Sequence, residues 1–179
     1  MDPSKQKTIF LDRDGTLIEE VNFLSRLEDV KLFPFTREAV DLLKSSGFQI
    51  VVVTNQSGVG RGLFDEESMH AIHRLIQHEL NDAIDGFYFC PHLPEASCHC
   101  RKPQLGMIEG ARRDIPIDMS ISWVVGDKDL DVELGLNAGL RTVLVETGYG
   151  RDHAKILRRK PERIAANLLE AARYITTRD

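Results

Sequence analysis

Two uninterrupted apolar triplets, Val51-Val52-Val53 and Trp123-Val124-Val125, constrain the fold most. A strand with one wet face alternates apolar and polar residues, whereas a run without alternation suits a strand covered by helices on both faces, as in parallel sheets. Other short β-rich apolar runs occupy residues 8–11, 86–90, 122–125 and 142–145, and the first triplet sits in a run over 48–53. Helical spacing separates these runs. Such alternation requires crossovers and predicts an α/β domain with a parallel sheet. The 179 residues are read as one domain, 1–179, able to bury roughly 70% of the unfolded surface.

Between the runs, Thr36 is expected as a helix N-cap before Glu38, Ala39, Val40, Leu42 and Leu43, with Gly47 as the stop. Asp65 is expected to cap a second helix, where Met69, Ile72, Leu75, Ile76 and Leu80 form the apolar stripe. His70, His73 and His78 fall largely off that stripe and read as ordinary structural histidines. Pro161 is expected to open a last helix carrying Ile164, Ala165, Leu168, Leu169 and Ala172. The preceding Arg158-Arg159-Lys160 reads as a solvated face.

The net charge of −5 gives no general attraction to nucleic acid or anionic lipid, so phosphate chemistry must come from a local site. No apolar stretch approaches the roughly 18 residues of a membrane span, and Met1-Asp2-Pro3-Ser4-Lys5-Gln6-Lys7 carries no apolar signal region. These features predict a cytoplasmic monomer without membrane or nucleic-acid partners. The three cysteines, Cys90, Cys98 and Cys100, lie in one short segment. Their odd number speaks for metal or thiol chemistry rather than a disulfide framework.

In a parallel sheet of this class, ligands bind beyond the carboxyl ends of the strands. The first run ends Ile9-Phe10-Leu11-Asp12-Arg13-Asp14-Gly15-Thr16. Side chains at i and i+2 of extended chain share a direction, so Asp12 and Asp14 are placed to face one site, one as nucleophile and one moving a proton. The other candidates are Thr54-Asn55-Gln56-Ser57-Gly58, Arg101-Lys102-Pro103 and Gly126-Asp127-Lys128-Asp129-Leu130-Asp131.

Together and in this order, the four segments resemble the motifs of the haloacid dehalogenase-like superfamily of phosphatases. The resemblance implies a Rossmann-like sheet and an aspartyl-phosphate mechanism, with Asp12 attacking phosphorus and Asp14 as general acid and then base. A phosphate ester repels a carboxylate, so a divalent cation must neutralise the charges, and hard oxygen ligands suit Mg²⁺. Asp12 and Asp127 are assigned as side-chain ligands, and the resemblance adds Asp14 through its backbone carbonyl. Thr54, Arg101, Lys102 and Lys128 suit the phosphoryl oxygens. Asp131 either orients Lys128 or the metal's waters, or caps the next helix. The interval from Asp12 to Thr54 has room for one loop and one helix but no large cap domain, so an open site is expected, with residues 21–32 and the cysteine loop as its cover.

Cys90, His92, Cys98 and Cys100 offer three thiolates and an imidazole, the donor set of a closed tetrahedral zinc site. His99, between two ligands, is expected to point away. A structural Zn²⁺ here would stiffen the loop that carries Arg101 and Lys102. The segments around this loop resemble a narrow branch of the superfamily, the bacterial D-glycero-D-manno-heptose 1,7-bisphosphate phosphatases and the histidinol-phosphate phosphatases. Residues 54–62, with Gly126-Asp127-Lys128, look like the heptose enzymes, while the five-residue interval between His92 and Cys98 is nearer the histidinol branch. The heptose resemblance implies Mg²⁺-dependent removal of the C7 phosphate from a small phosphorylated sugar, in nucleotide-heptose supply for lipopolysaccharide. By the same resemblance Glu20 and Asn22 line the sugar pocket, with Asn55, Gln56 and Ser57 as further substrate contacts; a second phosphate would suit Arg61, which otherwise reads as a surface charge. Histidinol-phosphate hydrolysis is the alternative. A non-enzymatic zinc-bearing interaction protein is a third reading, but such a module has no need of a nucleophile beside an acid.

Overall fold

The computed structural model describes residues 5–178; Met1 to Ser4, expected above to lack a signal region, lie outside the described residues. Six parallel strands form one sheet in the order β3-β2-β1-β4-β5-β6. They are β1 (Thr8–Leu11), β2 (Gln49–Asn55), β3 (Gly86–Cys90), β4 (Trp123–Gly126), β5 (Arg141–Val145) and β6 (Arg163–Ala165). The helices are α1 (Thr36–Ser45), α2 (Ser57–Gly60), α3 (Glu66–Glu79), α4 (Gly106–Asp114), α5 (Asp129–Asn137), α6 (Gly150–Ile156) and α7 (Leu168–Thr176). The parallel α/β fold and the absence of a large cap agree with the reading of the sequence.

Strand alternation sorts the core into two layers. Ile9, Leu11, Ile50, Val52, Trp123 and Val125 face α1, α3 and α7, while Phe10, Val51, Val53 and Val124 face α4 and α5. The apolar triplets therefore supply both layers at once, as strands buried on both faces must. Parallel pairing in register (Phe10 opposite Val51 and Val124) keeps the carboxyl ends of β1, β2 and β4 together.

Several local expectations hold. Asp65 accepts a hydrogen bond from the Ser68 N–H (2.8 Å) and caps α3, Gly47 has φ +82° just after α1, and Arg158, Arg159 and Lys160 are exposed. Others need correction. Thr36 is the first residue of α1 rather than its cap; its hydroxyl donates to the Leu17 carbonyl (2.7 Å) and ties the helix to the loop after β1. Strand β2 runs two residues beyond the expected end, so Thr54 and Asn55 are its last residues. Pro161 opens no helix: Ile164 and Ala165 belong to β6, which pairs with β5, and α7 begins later, capped by Asn167 through the Glu170 N–H (3.0 Å). His73 is buried, contrary to its expected place off the stripe, while His70 and His78 are exposed. Among the described residues no helix is long and apolar enough to cross a membrane.

Candidate active site

Beyond the carboxyl end of the sheet, Asp12 leaves β1 while its N–H still donates to the Val125 carbonyl of β4 (3.0 Å). Its side chain is buried, and Lys102 Nζ lies 2.9 Å from Asp12 Oδ1. The same ammonium is 2.6 Å from Asp131 Oδ1 and donates to the Val53 carbonyl (3.0 Å), which uses all three of its protons. Asp131 Oδ2 accepts from the Lys128 N–H (3.0 Å). Of the alternatives weighed for Asp131 the helix cap holds, since its side chain caps α5, and its other oxygen pairs with Lys102 rather than with the Lys128 side chain. Burial opposes ionisation of Asp12, but Lys102 and Lys128 outweigh it and hold the carboxyl below its ordinary value. Lys102 is pushed up against its own burial by Asp12 and Asp131.

Asp127, at the end of β4, is fully buried. Its Oδ2 accepts from the Tyr149 N–H (2.8 Å), while Oδ1 has no hydrogen-bond partner among the described residues. Burial and then the neighbouring Asp12 charge push its pKa up to about 8. Gly15 (φ +80°) and Gly148 (φ +54°) lie so close to this carboxylate that a Cβ at either would strike Asp127 Oδ2. Donor oxygens of Asp12, Asp127 and Asp131 all lie within 4.8 Å of one another.

Asp14 lies beside this cluster with its carboxylate turned to other partners. Arg13 reaches both of its oxygens, Nε to Oδ2 (3.0 Å) and Nη2 to Oδ1 (3.1 Å), and Gln56 Nε2 donates to Oδ2 (2.9 Å). Gln56 also donates to the buried Thr54 hydroxyl (2.8 Å), so the end of β2 is coupled to the loop after β1.

A cavity of about 280 Å³ opens over Asp14 and is lined by Glu20, Asn22, Phe23, Asn55, Gln56, Ser57, Arg101, Lys128 and Tyr149, among others. Seven of the residues expected to bind phosphate or substrate are thereby brought to one space beside Asp14. Lys128 pairs with Glu20 (3.1 Å) and lies 5.1 Å from the Tyr149 ring centroid. Arg101 also donates to the His92 carbonyl (3.1 Å), which joins the cavity to the cysteine loop. Asn55 Oδ1 accepts from the Lys102 N–H (3.1 Å). Arg61 stands on the surface with its guanidinium 5.6 Å from the Phe23 ring centroid, outside the residues lining the cavity.

Cys90 ends β3 in the core, and the chain returns to it within ten residues. Cys90 Sγ lies 3.0 Å from Cys100 Sγ and 3.7 Å from Cys98 Sγ, and His92 Nδ1 is 3.2 Å from Cys100 Sγ. All four donor atoms fall within 4.8 Å of one another. Burial, then the neighbouring Cys100 thiol, pushes Cys90 upward. His99 points away, its Nε2 2.5 Å from Glu109 Oε2.

Two buried residues at the site escaped the reading of the sequence: Arg13 and its partner His73, whose Nε2 lies 3.3 Å from Arg13 Nη1. The signal was present for His73, which falls four residues after Met69 and three before Ile76, on the buried stripe.

Comparison with known proteins agrees with this geometry. Residues 7–133 match the family model of the polynucleotide kinase 3 phosphatases, and residues 99–171 match the HAD-hydrolase-like model. The D-glycero-beta-D-manno-heptose-1,7-bisphosphate 7-phosphatase of Photorhabdus laumondii is 41% identical over 151 residues, 78% of this chain and 80% of that one. The D-glycero-D-manno-heptose-1,7-bisphosphate 7-phosphatase of Thermosynechococcus vestitus is 37% identical over 190 residues, 94% of this chain and 95% of that one. A crystal structure of the D,D-heptose 1,7-bisphosphate phosphatase of B. bronchiseptica, complexed with magnesium and phosphate, superposes with a TM-score of 0.88 at 31% identity, covering 97% of this chain and 99% of that chain. With its parallel sheet, its strand-end carboxylates and these relatives, the chain belongs to the haloacid dehalogenase-like phosphatases, in the family of the heptose-1,7-bisphosphate 7-phosphatases.

Proposed function

We propose that this chain hydrolyses the C7 phosphate ester of D-glycero-D-manno-heptose 1,7-bisphosphate, with Asp12 as nucleophile, in the cytoplasmic supply of nucleotide-heptose for lipopolysaccharide. The observation that carries the chemistry is a buried, ionised Asp12 held by Lys102 beside an Asp127 oxygen that has no partner among the described residues. The names of the relatives support the substrate, and neither histidinol phosphate nor an interaction role is favoured by them.

Asp12 attacks phosphorus in line, the bond from phosphorus to the C7 oxygen breaks, and Asp14 gives its proton to the departing alkoxide. Water then adds to phosphorus and passes a proton to Asp14 as the bond to Asp12 breaks, releasing phosphate. Lys102, Thr54, Lys128 and Arg101 balance the charge spread over the phosphoryl oxygens.

The residues present fit a Mg²⁺ ion. Asp127 Oδ1 is buried without a partner among the described residues, and the surrounding donors are hard oxygens. Asp12 and Asp127 would hold the ion, with Asp14 through its backbone carbonyl; Asp131 has both oxygens committed to Lys102 and the Lys128 N–H. A bound Mg²⁺ would neutralise the facing anions and so permit their approach. Cys90, His92, Cys98 and Cys100 likewise fit a structural Zn²⁺, because three sulfurs and one imidazole nitrogen converge within 4.8 Å of one another.

The test is phosphate release from the heptose bisphosphate with Mg²⁺, beside histidinol phosphate and an Asp12→Asn control. Preference for the heptose, lost in the variant, supports substrate and nucleophile together. Preference for histidinol phosphate overturns the substrate, and activity that survives Asp12→Asn overturns the covalent mechanism.

A further inference from the structure

Arg13 stands between the two site carboxylates, yet the reaction as set out above gives it no part. It follows the end of β1 and is among the most deeply buried side chains of the molecule, 1% exposed. A guanidinium cannot shed its charge, so it is kept in such a place only by fixed partners. It has two. On one side it grips both oxygens of Asp14 in a fork, at 3.0 and 3.1 Å. On the other, Nη1 lies 3.3 Å from His73 Nε2.

The second contact fixes the chemistry of the imidazole. Arginine only donates, so Nε2 must accept, and the ring is neutral with its proton on Nδ1. Burial, then Arg13 itself, pushes His73 down to about 3, in agreement with that form. Nδ1 is buried and has no hydrogen-bond partner among the described residues, so the ring bears the penalty of an unmade bond. Stacking on Phe87, with centroids 4.6 Å apart, holds the ring in that orientation. A phenyl ring would stack equally well without the penalty. What imidazole adds is the acceptor facing Arg13.

We infer that His73 and Arg13 form a buried brace, reaching in from α3, that aims the Asp14 carboxyl at the leaving-group oxygen, which makes Arg13 a positioning residue for proton transfer. The inference rests on the role proposed for Asp14. An arginine fork restrains a carboxyl in both position and plane, which a single contact with Gln56 does not.

Leaving-group chemistry tests this. A sugar alkoxide needs a proton as it departs, and 4-nitrophenolate does not. The quantity measured is kcat/KM for heptose 1,7-bisphosphate divided by kcat/KM for 4-nitrophenyl phosphate. Both constants report the steps up to formation of the phospho-enzyme, so slow release of phosphate does not enter. Asp14→Asn should lower the ratio by about a hundredfold or more. Arg13→Met should lower it by about tenfold, with the larger loss on the sugar ester. An unchanged ratio in Asp14→Asn would overturn the acid role of Asp14 itself. A lowered ratio there, with an unchanged or raised ratio in Arg13→Met, would overturn the brace alone. Should Arg13→Met fail to fold, the pair His73→Leu and His73→Gln decides: leucine should lower the ratio by about threefold, and glutamine, whose carbonyl can accept from Arg13, should restore it. Equal ratios for the two would refute the inference.

Discussion

Lys102 is the most heavily committed side chain of the site, because one ammonium satisfies Asp12, Asp131 and the Val53 carbonyl while buried. Lys102→Met would leave two neighbouring carboxylates without their cation. Removing one member of such a buried group costs about 3–5 kcal/mol, so the urea midpoint should fall steeply and phosphate release should vanish. A variant of normal stability would contradict the arrangement. Asp127 carries the opposite burden, a carboxyl pushed up to about 8. Between an ordinary carboxylate value and about 8, the folded metal-free chain keeps a proton that the unfolded chain has lost. Its contribution to stability therefore falls as pH rises through that window. Mg²⁺ takes the place of the proton, so the gain in melting temperature on adding Mg²⁺ should be larger near pH 8 than near pH 6, as scanning calorimetry would show. Asp127→Asn should abolish the difference. Asp12, Asp14 and Asp127 could be found in the sequence because their place at strand ends is itself a signal. Arg13 could not, since it is the partners on another element, and not spacing within its own, that give it a role.

At the scale of the element, the cysteine loop joins the edge strand β3 to the buried Lys102 and then to α4. Cys90 lies in the core with Met107, and Cys98 and Cys100 pack against the same cluster. If zinc organises it, a strong chelator should lower the melting temperature and the activity together, and elemental analysis of the untreated protein should find about one zinc per chain. Chelation that changes neither would remove zinc from the account. The spacing of the cysteines was readable because metal ligation dictates local sequence. The end of the chain was not: β6 has three residues, too few to establish a period, and Pro161 mimics the start of a helix whose true cap is Asn167. Thr36 misled for a related reason, because its hydroxyl serves a tertiary contact with Leu17 in place of a cap.

For the whole molecule, the two core layers share one sheet, and the lone tryptophan, Trp123, sits on β4 beside the central strand β1. Loss of either layer exposes the strands that serve the other. Unfolding followed by Trp123 fluorescence and by far-ultraviolet circular dichroism should therefore give coincident midpoints in urea. Separate midpoints would mean that the layers unfold independently. The parallel sheet and its cover of helices on both faces followed from the sequence, whereas the strand order and the meeting of Gly15 with Gly148 against Asp127 depend on contacts that only the folded chain brings together. That meeting has a genetic corollary. Every missense change at either codon installs a side chain where the buried carboxylate already stands, so a lineage that keeps the enzyme should tolerate only synonymous drift at these two codons, however freely the surface around them diverges.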